Sequence, residues 1–384
     1  MFKGLTRTVL AACGIGVAAL LVAGCGGRES AVPGDSADGV RTESDLRGAD
    51  LVDDCARRGR WDLVLETART LEPAEYSLAV MHDVQRALFH SGRLLDEMFT
   101  YPQTVQRDGR FLFSRLAPRI AQTAWKRAEV LFELGHVNLA EMWAHLTLEV
   151  TGPRAEPLRL LSDVYVLKGQ SQMARTCLNV LIAVDPSQQT WARERLRRLD
   201  EAPGLTDDPR LAHVHAMMPV KDYARGPVVI PFREHFLQLL DTNPRNRMAL
   251  EYLVAFDLWS RHADDVVADL RWWEKTADTR LPRHCQEAVL VFLTNPRYRA
   301  SPYQYLQSSA ESWSERVDAT VRTRYQGFKE SVRDLLKAPQ DEHPALMETL
   351  EKTWGGDWYF YDAFGYSAGG KDLAPVDAVT GATE

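Results

Sequence analysis

Apolar residues recur at helical spacing along most of the chain. From residue 46 onward they return every three or four positions, the period of an amphipathic α-helix with one buried face. The clearest pair of such segments carries Leu116, Ile120, Ala124, Ala128 and Leu131, then Leu139, Ala140, Trp143, Ala144 and Leu148. Gly135 stands between the two segments, where a glycine commonly ends a helix. The pattern predicts an all-α fold of helical hairpins, with strand-like composition only at residues 228–230.

The next pair of segments repeats this plan at a fixed distance. Gly169 follows Gly135 by 34 positions, the same shift takes Ala140 to Ala174, and Pro186 closes the second pair. Small residues at matching positions let two helices approach closely, because a larger side chain would hold the backbones apart. We therefore expect Ala140 and Ala174 to lie where helices cross.

Small residues at the crossings, a glycine turn and a closing proline resemble the tetratricopeptide repeat over residues 121–187. The resemblance implies a right-handed α-solenoid of tetratricopeptide-like helical hairpins, in one run or in two halves. Weaker matches to the repeat occur around Gly59 and Gly92. The sequence departs from the family where the first-helix tryptophan position holds Ala124 and Leu158.

Changes in periodicity divide the chain into segments. Residues 46–200 are predicted to form an N-terminal tetratricopeptide-like helical domain, and residues 232–352 a C-terminal helical domain. Between them, residues 201–231 lose the helical period and are rich in proline and scattered charge, which is typical of a connector.

Seven of the thirteen residues at positions 354–366, here called the aromatic segment, are aromatic. With the small, acidic tail that follows, the segment forms the last predicted part of the chain, an aromatic strap and disordered tail over residues 353–384. The rings are expected either to fold over the last helices as a strand or strap, or to present a platform for a glycan or partner peptide. The candidate ligand- or partner-binding residues are Trp354, Trp358, Tyr359, Tyr361 and Tyr366.

Lys3 and Arg7 precede an apolar run that ends in the sequence VAGC at residues 22–25. This order resembles the signal peptide and lipobox of a bacterial lipoprotein. The resemblance implies a signal over residues 1–24, lipid attachment at Cys25 and a flexible tether over residues 25–45. Gly26 in place of aspartate implies the outer membrane of a diderm bacterium. A transmembrane anchor is the alternative, but the apolar run is short and diluted by glycine.

The composition narrows the classes of partner. The net charge of the 384-residue chain is -7, so it lacks the basic character that nucleic-acid binding requires. Of its five cysteines, Cys13 lies in the predicted signal and Cys25 is the lipidation site. The remaining three, Cys55, Cys177 and Cys285, are odd in number and widely spaced, which predicts neither a disulfide framework nor a zinc site.

Three features invite a catalytic or binding interpretation. The sequence GYSAG at residues 365–369 matches the G-x-S-x-G elbow of serine hydrolases, but there the acid and histidine follow the serine, whereas the last histidine here, His343, precedes Ser367. His213 and His215 form a pair without a third ligand at motif spacing. The arginines of residues 193–198 alternate with acids, as on a solvated helix face. We predict no catalytic residue, metal site or cofactor.

The chain is similar to uncharacterised bacterial envelope families that carry tetratricopeptide-like helices, and more weakly to glycan-binding outer-membrane lipoproteins. These resemblances imply a lipid-anchored, non-enzymatic scaffold that binds an envelope protein or peptide through its helical-repeat surface. The alternative is an outer-membrane lipoprotein that captures a glycan nutrient by aromatic stacking.

Overall fold

Helices make up the regular secondary structure of the computed structural model, which describes residues 46–72, 75–103, 120–202, 204, 207–219, 232–276, 280–299 and 302–370. No strand occurs in those ranges, so the all-α prediction is confirmed there. Contacts divide the chain into Met1–Ser44 and Asp45–Glu384. The predicted signal, Cys25, the tether and residues 228–230 lie outside the described residues.

The described helices are named in chain order. The first ten are α1 (Gly48–Arg57), α2 (Trp61–Ala68), α3 (Leu78–His90), α4 (Leu94–Glu97), α5 (Ile120–Glu133), α6 (Val137–Thr151), α7 (Ala155–Leu167), α8 (Ser171–Val184), α9 (Gln189–Glu201) and α10 (Pro209–Met217). The next eight are α11 (Phe232–Thr242), α12 (Arg247–Trp259), α13 (Ala263–Trp273), α14 (Arg283–Thr294), α15 (Gln307–Ser314), α16 (Ala319–Lys337), α17 (His343–Trp354) and α18 (Trp358–Phe364). Short 3-10 turns occupy Met98–Thr100, Pro186–Gln188, Pro296–Arg299 and Tyr303–Leu306.

Five helix pairs share one kind of turn. The second residue after the first helix has a positive φ, and two backbone amides bond back to carbonyls of the last helical turn, the Schellman arrangement. At the turn between α5 and α6, the amide of Gly135 donates to the carbonyl of Phe132 and that of His136 to Leu131. The left-handed residues of the five turns are Gly59, Gly92, Gly135, Gly169 and Arg261. Gly59 and Gly92, the weaker matches to the repeat, therefore lie in the same kind of turn as Gly135 and Gly169.

Most consecutive helices of the described ranges pack against each other, as hairpins require. In the pairs α5/α6 and α7/α8, the alanines predicted at the crossings, Ala140 and Ala174, are fully buried. Both alanines of the 34-residue shift therefore lie in the core, while the repeat arrangement itself stays a prediction.

Other contacts join segments far apart in sequence. Helix α4 packs against both α12 and α14. The Asn246 side-chain amide donates to the carbonyl of Leu134, 2.9 Å away. In an open solenoid each repeat touches only its neighbours, so these contacts go beyond simple stacking.

The segment predicted as a connector, residues 201–231, contains a helix. Pro209 opens α10 at a position where a missing N–H costs nothing, and the carboxylate of Asp208 accepts from the amides of Arg210 and Leu211. Leu211 and Val214 are buried, and α10 contacts α5 and α7. The prolines obscured this helix because they cluster at its two sides. The domain boundaries themselves stay a prediction.

Residues 358–364 of the aromatic segment form helix α18, so the expected cover over the last helices is a helix and not a strand. Aromatic side chains favour strands, but that preference reflects packing and yields to a tertiary site that suits a helix. Here Gly365 ends the helix in the left-handed conformation, with φ 81°. Four consecutive rings, Trp358 to Tyr361, are buried on all sides of the helix.

Replacing the turn glycines with alanine should separate backbone strain from steric contact. Gly169→Ala adds a side chain where nothing lies within 4 Å, so only the positive φ costs stability, about 1–2 kcal/mol. Gly135→Ala places the new Cβ 2.5 Å from the carbonyl oxygen of Met217, so we expect a further loss of about 1–3 kcal/mol. Urea unfolding measures both, and equal losses would contradict the close approach of α10.

Candidate functional site

The aromatic helix α18 is held by hydrogen bonds to the end of α12. The indole Nε1 of Trp358 donates to the carbonyl of Leu258 at 2.7 Å, and the Tyr361 hydroxyl donates to the carbonyl of Trp259 at 2.8 Å. Both aromatic side chains are 0 % exposed. The last carbonyls of a helix lack partners within it, and Tyr361 supplies one for Trp259. Trp358 adds a second donor at the Leu258 carbonyl, which also accepts from the Arg261 amide at 3.1 Å.

A buried ion-pair cluster surrounds the start of α18. The Asp357 carboxylate, which is fully buried, accepts from the guanidinium groups of Arg283 and Arg324. The Glu287 carboxylate accepts from the Trp358 amide at 2.6 Å and from Nε of Arg283 at 2.9 Å. Two carboxylates and two guanidinium groups therefore balance one another in a site where an unpaired charge would be costly.

The remaining predicted rings pack with neighbouring aromatic residues. Tyr359 lies 4.7 Å from Phe328 and 6.4 Å from Trp354, centroid to centroid. Tyr366 meets Phe360 at 5.5 Å with the two rings at 90°. Of the five predicted residues, Trp358, Tyr359 and Tyr361 are buried, and Trp354 and Tyr366 are half-buried. Burial also raises the pKa values of the Tyr359 and Tyr361 hydroxyls. The structure brings the rings together as cover for the helices, not as a flat exposed platform, and ligand binding by them stays a prediction.

Ser367 of the hydrolase-like motif is fully buried and serves as a structural link. Its hydroxyl donates to the carbonyl of Tyr101 at 2.7 Å and accepts from the amide of Gln103 at 2.8 Å. Its own amide donates to the carbonyl of Gln103 at 3.0 Å. These bonds fasten the chain after α18 to the segment after α4, and they occupy the oxygen that a nucleophile would need free.

A second ion-pair network joins the first helices of successive hairpins. Lys126 of α5 bridges Asp83 of α3 and Asp53 of α1, each at 2.5 Å. Arg86 of α3 pairs with Glu133 of α5 at 2.6 Å. Burial alone would raise the pKa of Glu133, but the charge of Arg86 holds it well below its usual range. Sequence reasoning missed this network, because charged residues at helical spacing are usually exposed.

The arginine-rich stretch of α9 is only partly a solvated face. Arg197 is exposed and pairs with Glu194 on the same helix, as expected. Arg195 is buried, however, and bridges Asp163 of α7 and Asp208 before α10, each at 2.5 Å. The three-to-four residue spacing could not reveal which arginine faces inward.

An open groove lies at the first two hairpin turns. It has a volume of about 890 Å³ including open solvent and is lined by Gly59, Arg60, Trp61, Asp62, Leu63, His90, Ser91 and Arg93. The Trp61 ring stacks on the His90 ring with centroids 4.5 Å apart and planes 5° apart. The Arg86 guanidinium lies 5.1 Å from the Trp61 ring centroid. We call this the Trp61 groove.

The histidine pair and the cysteines singled out in the sequence occupy ordinary positions on the surface and in the core. His213 and His215 are exposed on α10. The described residues hold no group of three or more His, Cys, Asp or Glu placed to bind a metal. Cys55, Cys177 and Cys285 are buried, and none of the three takes part in a disulfide. Within the described ranges, no helix combines the length and apolar character needed to cross a bilayer.

These features define an all-helical protein of packed hairpins, in which a buried aromatic helix covers part of the C-terminal helices. The chain belongs to a family of unknown function, DUF6057, whose profile matches residues 18–365. The match includes Cys25, the Trp61 groove and helix α18. No curated protein and no solved structure shows significant similarity to the chain.

Removing single hydroxyl groups should test the attachment of α18. Tyr361→Phe deletes the donor to the Trp259 carbonyl and leaves that buried acceptor unsatisfied, so we expect a loss of about 1–3 kcal/mol in the free energy of unfolding. Tyr305→Phe is the matched control, because Tyr305 is 74 % exposed and should change stability by less than about 0.5 kcal/mol. Equal melting temperatures for the two variants would argue against the bond.

Proposed function

We propose that the protein is a lipid-anchored, non-enzymatic scaffold of the cell envelope that binds an extended peptide of another protein in the Trp61 groove. The helical hairpins are proposed to form a right-handed, tetratricopeptide-like solenoid. The shared turns at Gly59, Gly92, Gly135 and Gly169 and the buried alanines of α6 and α8 support this description.

The Trp61 groove is the observation that carries the proposal. Half-buried Trp61 offers ring surface beside polar groups at the rim, and tryptophan is among the residues that contribute most at protein interfaces. The ring contacts His90 and Arg86, both of which pair with Glu133. Because these contacts already restrict the Trp61 side chain, it should lose little conformational entropy when a peptide binds.

The glycan-capture alternative has less support. Stacking on sugar rings needs exposed aromatic faces, and three of the five rings first suggested for it are buried. Half-buried Trp354 and Tyr366 remain for that role, together with Trp61 itself.

Anchoring at Cys25 can be tested directly. Metabolic labelling with palmitate should mark the wild-type protein and fail to mark Cys25→Ser, which should stay unprocessed or be released from the membrane fraction. Cys55→Ser is the control, because that thiol is buried in the folded unit and should not affect labelling. Label that persists in Cys25→Ser would show that the anchor is wrongly assigned.

Site-specific photo-crosslinking in intact cells tests the peptide site. A photoreactive residue at Asp62, exposed on the groove rim, should capture one defined envelope protein, whereas the same residue at exposed Thr323 on α16 should not. Trp61→Ala should reduce the crosslinked product about tenfold or more, since an interface tryptophan commonly contributes 2 kcal/mol or more.

Circular dichroism should show that Trp61→Ala keeps its helices. Arg60→Glu, on the groove rim, provides a second variant that leaves the tryptophan in place. Equal crosslinking from positions 62 and 323 would refute the groove. Binding of a purified polysaccharide that Trp61→Ala abolishes would favour the glycan alternative instead.

A further inference from the structure

A second cavity, distinct from the Trp61 groove, lies where distant segments of the chain meet. It is partly enclosed, with an empty volume of about 570 Å³ that includes open solvent. Its walls come from the end of α2, from Thr100 to Pro102 after α4, and from Ala368 and Gly369 after α18. The Ser367 bonds to Tyr101 and Gln103 hold these last two residues in place, so the cavity exists only in the fully folded chain.

Most of the wall is apolar, but one buried hydroxyl is left without a partner. Ala68, Leu71, Pro102 and Ala368 line the apolar part. Tyr76 also lines the cavity, is 7 % exposed, and its hydroxyl has no hydrogen-bond partner among the described residues. A buried O–H without an acceptor is costly, so a ligand that reaches this hydroxyl through a small shift of the Tyr76 side chain and supplies an acceptor would recover that free energy.

The rim of the cavity carries a positive charge that its neighbours only partly neutralise. Arg69 lies 3.3 Å from the Glu97 carboxylate and 5.2 Å from the centroid of the Tyr101 ring. The same carboxylate accepts two shorter bonds from Arg93, at 2.7 and 2.6 Å. Two guanidinium groups therefore share one carboxylate, which leaves Arg69 able to attract an anion.

The small size of the cavity limits the size of its ligand. Without the surrounding open solvent its volume is about 220 Å³, below the roughly 300–1,000 Å³ of pockets that hold drug-sized molecules. An apolar wall, an unpartnered donor and a cationic rim together suit a compact apolar body with one carboxylate. We propose that this cavity binds a small organic monocarboxylate, whose carboxylate interacts with Arg69 and the Tyr76 hydroxyl. This ligand site is separate from the proposed peptide site.

Fluorine NMR of 4-fluorobenzoate with the full chain, purified in detergent, tests the site. The wild-type protein should broaden and shift the probe signal with saturation in the millimolar range or below. The uncharged analogue 4-fluorobenzyl alcohol should bind at least about tenfold more weakly, since a charge-assisted bond contributes about 1.5–3 kcal/mol.

Two variants address the two polar groups. Tyr76→Phe keeps the ring and removes the hydroxyl, so affinity should fall about three- to tenfold. Arg69→Met keeps the aliphatic stem and removes the charge, and should weaken binding by about tenfold or more. Arg58→Met is the control, because Arg58 is an exposed arginine that pairs with Asp54 outside the cavity.

Circular dichroism and the melting curve establish that each variant is folded, and Arg69→Lys, which keeps the charge, should retain more affinity than Arg69→Met. Absence of saturable binding to the folded wild type would overturn the proposal. Equal binding to wild type, Tyr76→Phe and Arg69→Met would place the probe elsewhere and overturn it as well. Crosslinking from Asp62 is measured with Tyr76 and Arg69 unchanged, so failure here leaves the peptide site to its own test.

Discussion

The attachment of α18 to α12 and α14 is the interaction on which the rest of the C-terminal half depends. Nearly every residue of α12 and α14 is buried, so neither helix has a face that can turn to water. Helix α4 covers one part of this surface, and α18 contacts α14 and donates two hydrogen bonds to the end of α12. The apolar rings supply area, while Trp358 and Tyr361 also bring the polar atoms that the end of α12 requires. A purely aliphatic helix could provide the apolar area but not the hydrogen-bond donors.

Buried ion pairs determine which helices become neighbours. Apolar burial has no direction and would accept several arrangements of similar amphipathic helices. Each internal guanidinium instead joins particular partners: Arg86 joins α3 to α5, Arg195 joins α9 to α7, and Arg283 joins α14 to the start of α18. Such pairs add little net stability against apolar replacements, but a wrong neighbour would leave a charge unpaired at a cost of several kcal/mol. In a chain of repeated hairpins, we infer that this penalty maintains the order of packing.

Local features of the fold could be predicted from sequence, and distant ones could not. The hairpins around Gly135 and Gly169 follow from helical periodicity and turn glycines, both of which act within a few residues. The same turn at Arg261 could not be predicted, because arginine rarely adopts a positive φ and here has φ 61°. Helix α18 was misjudged for a different reason. Its aromatic composition suits a strand, and only the site formed by α12 and α14, whose bonds to α18 span 100 and 71 residues, makes it a helix. The aromatic rings form a cluster, and the burial of each ring depends on those distant helices, while ligand binding by the rings stays a prediction.

Both cavities described here lie at edges made by turns and segment ends, and the helix packing itself explains that position. Between the helices, side chains and buried ion pairs fill the space that a ligand would need, as close packing requires. At the turns, glycines remove side chains, and neighbouring loops do not interdigitate as helices do. Trp61 follows one such turn directly, and Tyr76 lies in the connection between α2 and α3. Both proposed sites therefore lie on the connections between hairpins, and the packed helices hold the two ends of each connection.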